Sequence, residues 1–191
     1  MSERPTVWGE LPPDGTVLTT AEYLQTAESM RVQELIYGTL RVEESPTFRH
    51  QNLLLELTVL MRVFVGQHRL GTVCIAPLDV ILDPARALIV QPDLMFISNQ
   101  RRDIITDRIW GAPDLVVEVM SPHPRIGKIE ERIKYFLDYG VRECWLVHQL
   151  RREVEVLKLH RHHYDPIERR TFSGVQPIGS EVLKFFSLSP D

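Results

Sequence analysis

Apolar positions along the chain change their spacing several times, and each change predicts an element. Residues 1–18 are rich in Pro and Gly without periodicity and are expected to be irregular. Thr19 and Thr20 suit the cap of a short helix over roughly 20–28. Residues 33–44 (QELIYGTLRVEE) read as two short strands turning at Gly38. Ser45-Pro46 is a helix-start signal, and Leu53, Leu57, Leu60, Met61 and Phe64 follow at helical spacing over 47–67. Leu54, Leu55, Val59, Val63 and Val65 widen that stripe, which predicts a helix buried on most of its circumference and ending near Gly71.

Two strand-like segments come next, 72–82 and 88–98, with Asp83-Pro84 marking the turn between them. A polar stretch, 99–108, leads to a third, nearly all-apolar strand over 114–120 (DLVVEVM), stopped by Ser121-Pro-His-Pro. Residues 125–139 form an amphipathic helix with Ile126, Ile129, Ile133, Phe136 and Leu137 on one face, and Gly140 is placed to end it. Two further strands, 143–149 and 153–160, flank a turn at Arg151-Arg152, and the tail over 171–188 looks β-rich. This order predicts an α/β (α+β) fold, a mixed β-sheet flanked by helices, in a single domain over 19–191.

Composition changes this picture little. Of 191 residues, 43% are hydrophobic and 25% charged, which excludes a disordered or fibrous chain. Cys74 and Cys144 are too few for a disulfide framework, so a reducing, cytoplasmic setting fits. No apolar run is long enough to span a membrane, and the first residues lack a signal-peptide pattern. The net charge of −4 argues against a strongly basic nucleic-acid binder. It conceals an asymmetry: residues 1–60 hold 4 basic and 9 acidic side chains, whereas 125–170 hold 11 and 8.

Two carboxylates interrupt strands that should be dry: Asp93 in IVQPDLMFI and Glu118 in PDLVVEVM. A buried carboxylate must be paired, hydrogen-bonded or metal-bound, because an isolated one costs several kcal/mol. If their strands are neighbours the two converge, and two carboxylates with water and a backbone carbonyl are a ligand set suited to Mg²⁺. Other polar or aromatic features read more simply. His160, His162 and His163 fit a solvated strand end, Trp110 and Trp145 core aromatics, and Cys144 a buried small hydrophobe. No P-loop, GxGxxG or GxSxG is present.

The segments QELIYGTLR, SPTFRHQNLLLEL, APLDVIL, VQPDLMFIS, GAPDLVVEVMSP and KYFLDYGVRECWLV occur in an order that resembles the Uma-type restriction endonucleases. These are a branch of the PD-(D/E)xK nuclease superfamily. The resemblance runs from about Thr20 to Leu183 and implies a restriction-endonuclease-like core with a Mg²⁺ (or Mn²⁺) dependent site acting on DNA. It implies metal ligation by Asp93, Glu118 and the Val119 carbonyl, and it marks Glu34, His50 and Asp79 as supporting positions. The superfamily's lysine two residues after the acid is Met120 here. In this family the role moves to the following helix as an Asp and, four residues on, a Lys; those positions are Lys128 and Arg132. Lys128, and after it Arg132, is therefore the expected charge-stabilising cation. The alternative is a catalytically silent module of the same fold, serving binding or assembly as a homodimer.

Overall fold

The computed structural model describes residues 12–26, 29–43, 45–121, 129–151, 153–173 and 178–186. A helix α1 (Thr20–Tyr23) precedes strands β1 (Gln33–Ile36) and β2 (Thr39–Val42), and a long helix α2 (Phe48–Gln67) follows them. Strands β3 (Gly71–Ile75), β4 (Val80–Asp83), β5 (Leu88–Val90) and β6 (Leu94–Ser98) come next, then a 3₁₀ turn at Asn99–Ile104. The chain continues as β7 (Ile109–Trp110), β8 (Leu115–Met120), α3 (Ile129–Tyr139), β9 (Glu143–His148), β10 (Glu153–Lys158) and β11 (Glu168–Ser173).

The strands form two mixed sheets rather than one. A five-stranded sheet runs β2-β1-β5-β4-β7 and a six-stranded sheet runs β11-β10-β9-β8-β6-β3. Each expected long strand over 72–82 and 88–98 is broken in two, and its halves lie in different sheets. The breaks fall at Pro77 and Pro92, which have no N–H to give to a ladder. The chain thus leaves one sheet and enters the other at Gln91-Pro92-Asp93.

Alternation along β8 sorts the core into layers. Leu115, Val117 and Val119 face Leu54, Leu57, Met61 and Val65 of α2. Val116 faces the opposite way, against Ile133, Phe136 and Leu137 of α3 and Val80, Leu88 and Val90 of the smaller sheet. Strands β8 and β9 are parallel and joined through α3, the usual reason for a helix to lie across a sheet.

Several local expectations change. The helix α1 is one turn long, with Thr19 as N-cap in a capping box with Glu22. The cap of α2 is Thr47, whose hydroxyl accepts from the His50 N–H, and not Ser45. Only one face of α2 is buried: Leu55 is 62%, and Val59 and Val63 each 52%, exposed. Trp145 is fully buried, but Trp110 lies 44% exposed on β7. The first turn expected for α3, and Arg152 of the expected hairpin turn, lie outside the described residues; β9 and β10 do pair as an antiparallel hairpin. The tail holds one strand, β11, followed over 178–186 by irregular chain that packs Ile178, Leu183 and Phe186 beneath Trp145. Residues 14–18, expected to be irregular, lie along β2, with a bridge from Val17 to Thr39. His160 and His163 sit in an exposed turn beyond β10. No described helix is long and apolar enough to cross a membrane.

Candidate active site

Strands β6 and β8 are antiparallel neighbours, with Leu94 opposite Val117. One step further along that register, Asp93 meets Glu118. At that step β6 has ended, so the Val119 N–H has no ladder partner on this side. The Asp93 side chain takes the place of the missing strand, its Oδ2 accepting from Val119 N at 2.7 Å. Within a strand a residue's N–H and C=O point to the same edge, so the Val119 carbonyl opens toward Asp93 as well. The other Asp93 oxygen, Oδ1, lies 3.2 Å from Nε2 of His50, held there by the first turn of α2.

The same vacancy recurs at the neighbouring crossing. Gln91 follows the last residue of β5, and its N–H donates to Oε1 of Glu34 on β1 at 2.7 Å. Glu34 is fully buried, and its second oxygen, Oε2, accepts from Nη1 of Arg132 at 2.5 Å. Arg132 reaches Glu118 with its other two nitrogens, Nε at 3.2 Å and Nη2 at 2.6 Å, both on Oε1. One buried guanidinium therefore bridges two buried carboxylates, one from each sheet. Its plane also lies over the Phe136 ring at 5.7 Å.

Met120, where the superfamily pattern has lysine, packs into the apolar layer beside α3. The cation beside Glu118 comes instead from α3. Lys128, the first choice for that cation, lies outside the described residues. Asp79 sits behind the site. It accepts from the Tyr23 hydroxyl at 2.8 Å, from Gln91 Nε2 at 2.8 Å and from Arg108 Nε at 3.0 Å, so it fixes the residue whose N–H holds Glu34.

A further carboxylate, Glu43, escaped the sequence reading. It follows β2 and lies within electrostatic reach of Glu34, Asp93, His50 and Arg132. The signal was available: the hairpin pairs Glu34 with Arg41, which puts residue 43 diagonally beside Glu34 on the same face.

The electrostatics follow from this crowding. Burial first, and then the charge of Glu34, push the Glu43 carboxyl up to about 7, against the attraction of Arg132. Burial likewise raises Glu118, with Arg132 opposing and Asp93 adding to the rise. For His50 burial disfavours the charged ring, but the hydrogen bond and charge of Asp93, with Glu43, outweigh it and raise the pKa. Arg132 is desolvated, yet Glu118 and Glu34 hold its proton firmly.

Among the described residues, no three His, Cys, Asp or Glu side chains converge as a preformed metal cage. The donors that are present fit Mg²⁺ or Mn²⁺ in a different way. Two carboxylates and a carbonyl oxygen are hard ligands, and magnesium usually binds through one or two carboxylates while keeping several waters. Burial and crowding raise Glu43 and Glu118, and a divalent cation at this point would favour their ionised forms.

Comparison with known proteins gives the family and the fold. Residues 20–189 match the model of the Uma2 family, described as putative restriction endonuclease. The chain belongs to that family. The fold is also that of a putative nuclease belonging to DUF820 from Anabaena variabilis ATCC 29413. That structure has a TM-score of 0.73 at 21% identity, over 90% of this chain and 94% of that one. No curated protein matches the chain.

Proposed function

We propose that the protein is a metal-dependent endonuclease that hydrolyses DNA phosphodiester bonds, with Asp93, Glu118 and the Val119 carbonyl holding Mg²⁺ or Mn²⁺. The observation that carries the reading is that Asp93, one residue before β6, accepts from the Val119 N–H next to Glu118 on the neighbouring strand β8. Family membership supports the same class of reaction. Held by Asp93, Glu118 and the Val119 carbonyl, a divalent cation would supply Lewis acidity toward a phosphate oxygen and would lower the pKa of a coordinated water.

The protein's own groups divide the remaining work. Asp93 is oriented by His50 on one oxygen and by Val119 N–H on the other. Arg132 fixes Glu118 and Glu34, and its permanent positive charge would favour negative charge developing on a phosphate held at the cation. Arginine is an obligate cation and does not serve as the base. Glu43, pushed up to about 7 by burial and the charge of Glu34, adds a further carboxylate to the electrostatics of this network. His50 and Glu34 act as positioning residues, and Lys128 remains the second candidate for charge stabilisation.

The experiment is cleavage of supercoiled plasmid and of single-stranded DNA with Mg²⁺ or Mn²⁺, beside an Asp93→Ala variant. Metal-dependent cleavage by the wild type that disappears in the variant is expected. Cleavage that survives Asp93→Ala removes this mechanism. The second reading, a silent binding or assembly module, is favoured by one specific observation, the guanidinium already seated on Glu118 and Glu34. Calorimetry with Mn²⁺ separates the two, because a silent module has no cation site that Glu118→Ala abolishes.

A further inference from the structure

The outer face of α2 is a feature that the site does not use. Leu55 is 62%, Val59 52%, Leu60 40% and Val63 52% exposed, in the middle of a 20-residue helix whose other face is core. Leu55, Val59 and Val63 are spaced four apart, so they form one stripe along the helix. Glu56 and Arg62 border it, with the Glu56 carboxylate held by Asn52 Nδ2 at 2.7 Å.

Several exposed positions on this face are matched in chemistry at equal distances on either side of Val59. Four positions out on either side are Leu55 and Val63, both aliphatic. Three out are Glu56 and Arg62, of opposite charge. Seven out are Asn52 and Gly66, and a Cβ on Gly66 would meet nothing within 4 Å, so a neighbour can approach closely there. Eight out are Gln51 and Gln67, two side chains able to pair amide to amide. A helix packed antiparallel against its own copy about a two-fold axis brings together just such equidistant positions. Three pairs of exposed positions then meet chemically matched mates, Leu55 on Val63, Glu56 on Arg62 and Gln51 on Gln67, while Asn52 faces Gly66 and Leu60 faces Thr58.

We propose that this face is an isologous dimer interface between two copies of the chain, formed by antiparallel packing of α2 on α2 with the two-fold axis at Val59. The occupant is a second copy because the charge pattern complements itself: Glu56 of each copy meets Arg62 of the other, twice per dimer. Dimerisation is independent of the nuclease reading and of the metal. If both hold, the axis relates two sites, because His50 starts the same helix nine residues from Val59.

Sedimentation velocity from about 1 to 100 µM tests it, a range in which an interface of modest area assembles. The wild type sediments as a dimer at the upper end. Glu56→Arg or Arg62→Glu alone sets like charges against each other and gives a monomer with unchanged circular dichroism. The double exchange Glu56→Arg with Arg62→Glu restores the dimer, which a merely misfolded single variant cannot explain. In a Cys74→Ser background, Val59→Cys cross-links to itself on oxidation. Leu55→Cys does not, because its copy lies about 12 Å further along the helix pair. A wild type that stays monomeric throughout, a dimer indifferent to the single reversals, or a double exchange that fails to restore it overturns the proposal.

Discussion

Arg132 closes on Glu118 through two nitrogens that share one oxygen, Nε at 3.2 Å and Nη2 at 2.6 Å from Oε1, while its third nitrogen holds Glu34. The pair joins α3 to the centre of the larger sheet, and Glu34 extends it to the smaller one. Removing the guanidinium leaves two buried carboxylates facing each other without compensation. Arg132→Ala is expected to cost about 3–5 kcal/mol in urea unfolding at neutral pH. Arg132→Lys keeps the charge but loses the fork, and is expected to fall between the wild type and Arg132→Ala. Equal stability of Arg132→Ala and the wild type would remove the bridge from the account.

Glu43 gives a pH dependence with a definite sign. Its carboxyl is near 7 in the folded chain and near 4.5 when unfolded, so the folded state binds the proton more tightly. The contribution is favourable at low pH and is lost as the pH rises from about 4.5 through about 7. With chelator present, Glu43→Gln is expected to match the wild type at pH 4.5 and to exceed it by roughly 2 kcal/mol at pH 8. The opposite order at pH 8 would mean that Glu43 is stabilised as a carboxylate.

Asp79 binds no reacting group in this account; it holds Gln91, Tyr23 and Arg108 together behind Glu34. Asp79→Ala leaves Gln91 Nε2 and the charged Arg108 Nε short of an acceptor, while the Tyr23 hydroxyl keeps the Gln33 carbonyl. Thermal or urea unfolding is expected to show a loss of roughly 2–4 kcal/mol. Cleavage is expected to fall with it and to recover at lower temperature, whereas Asp93→Ala stays inactive at every temperature.

Gly71 opens β3 against Ser98 of β6. A Cβ there would stand 2.1 Å from the Ile97 carbonyl oxygen and 2.9 Å from the Phe96 ring. Backbone has no rotamer with which to yield, so Gly71→Ala must shift the edge strand. We expect a loss of roughly 1–3 kcal/mol, read by chemical denaturation, and no loss for the exposed Gly66→Ala.

Sequence periodicity located the elements around the site more securely than the layers they belong to. The hairpin over 33–44, the apolar β8 and the amphipathic α3 all stood out, because each depends on contacts within a few residues. Asp93 and Glu118 were visible as charges inside apolar runs. The second sheet was not visible, because the halves of each broken segment are equally apolar and only the packing assigns them to different sheets. The one-sided burial of α2 was hidden for a related reason: an exposed aliphatic stripe has the same periodicity as a buried one. Arg132 was expected as a charge-stabilising cation, but its bridge from Glu118 to Glu34 depends on two sheets that periodicity does not reveal. Glu43 needed the hairpin register carried one pair past the end of β2.

The central claim is that Asp93 and Glu118 share one divalent cation. Anomalous diffraction from a crystal soaked in Mn²⁺ tests it most directly. The account predicts a peak between the two carboxylates, with oxygens of Asp93, Glu118 and Val119 about 2.0–2.6 Å away, and no peak in Glu118→Ala crystals. A crystal that binds Mn²⁺ only elsewhere, or that keeps the same peak without Glu118, would contradict it.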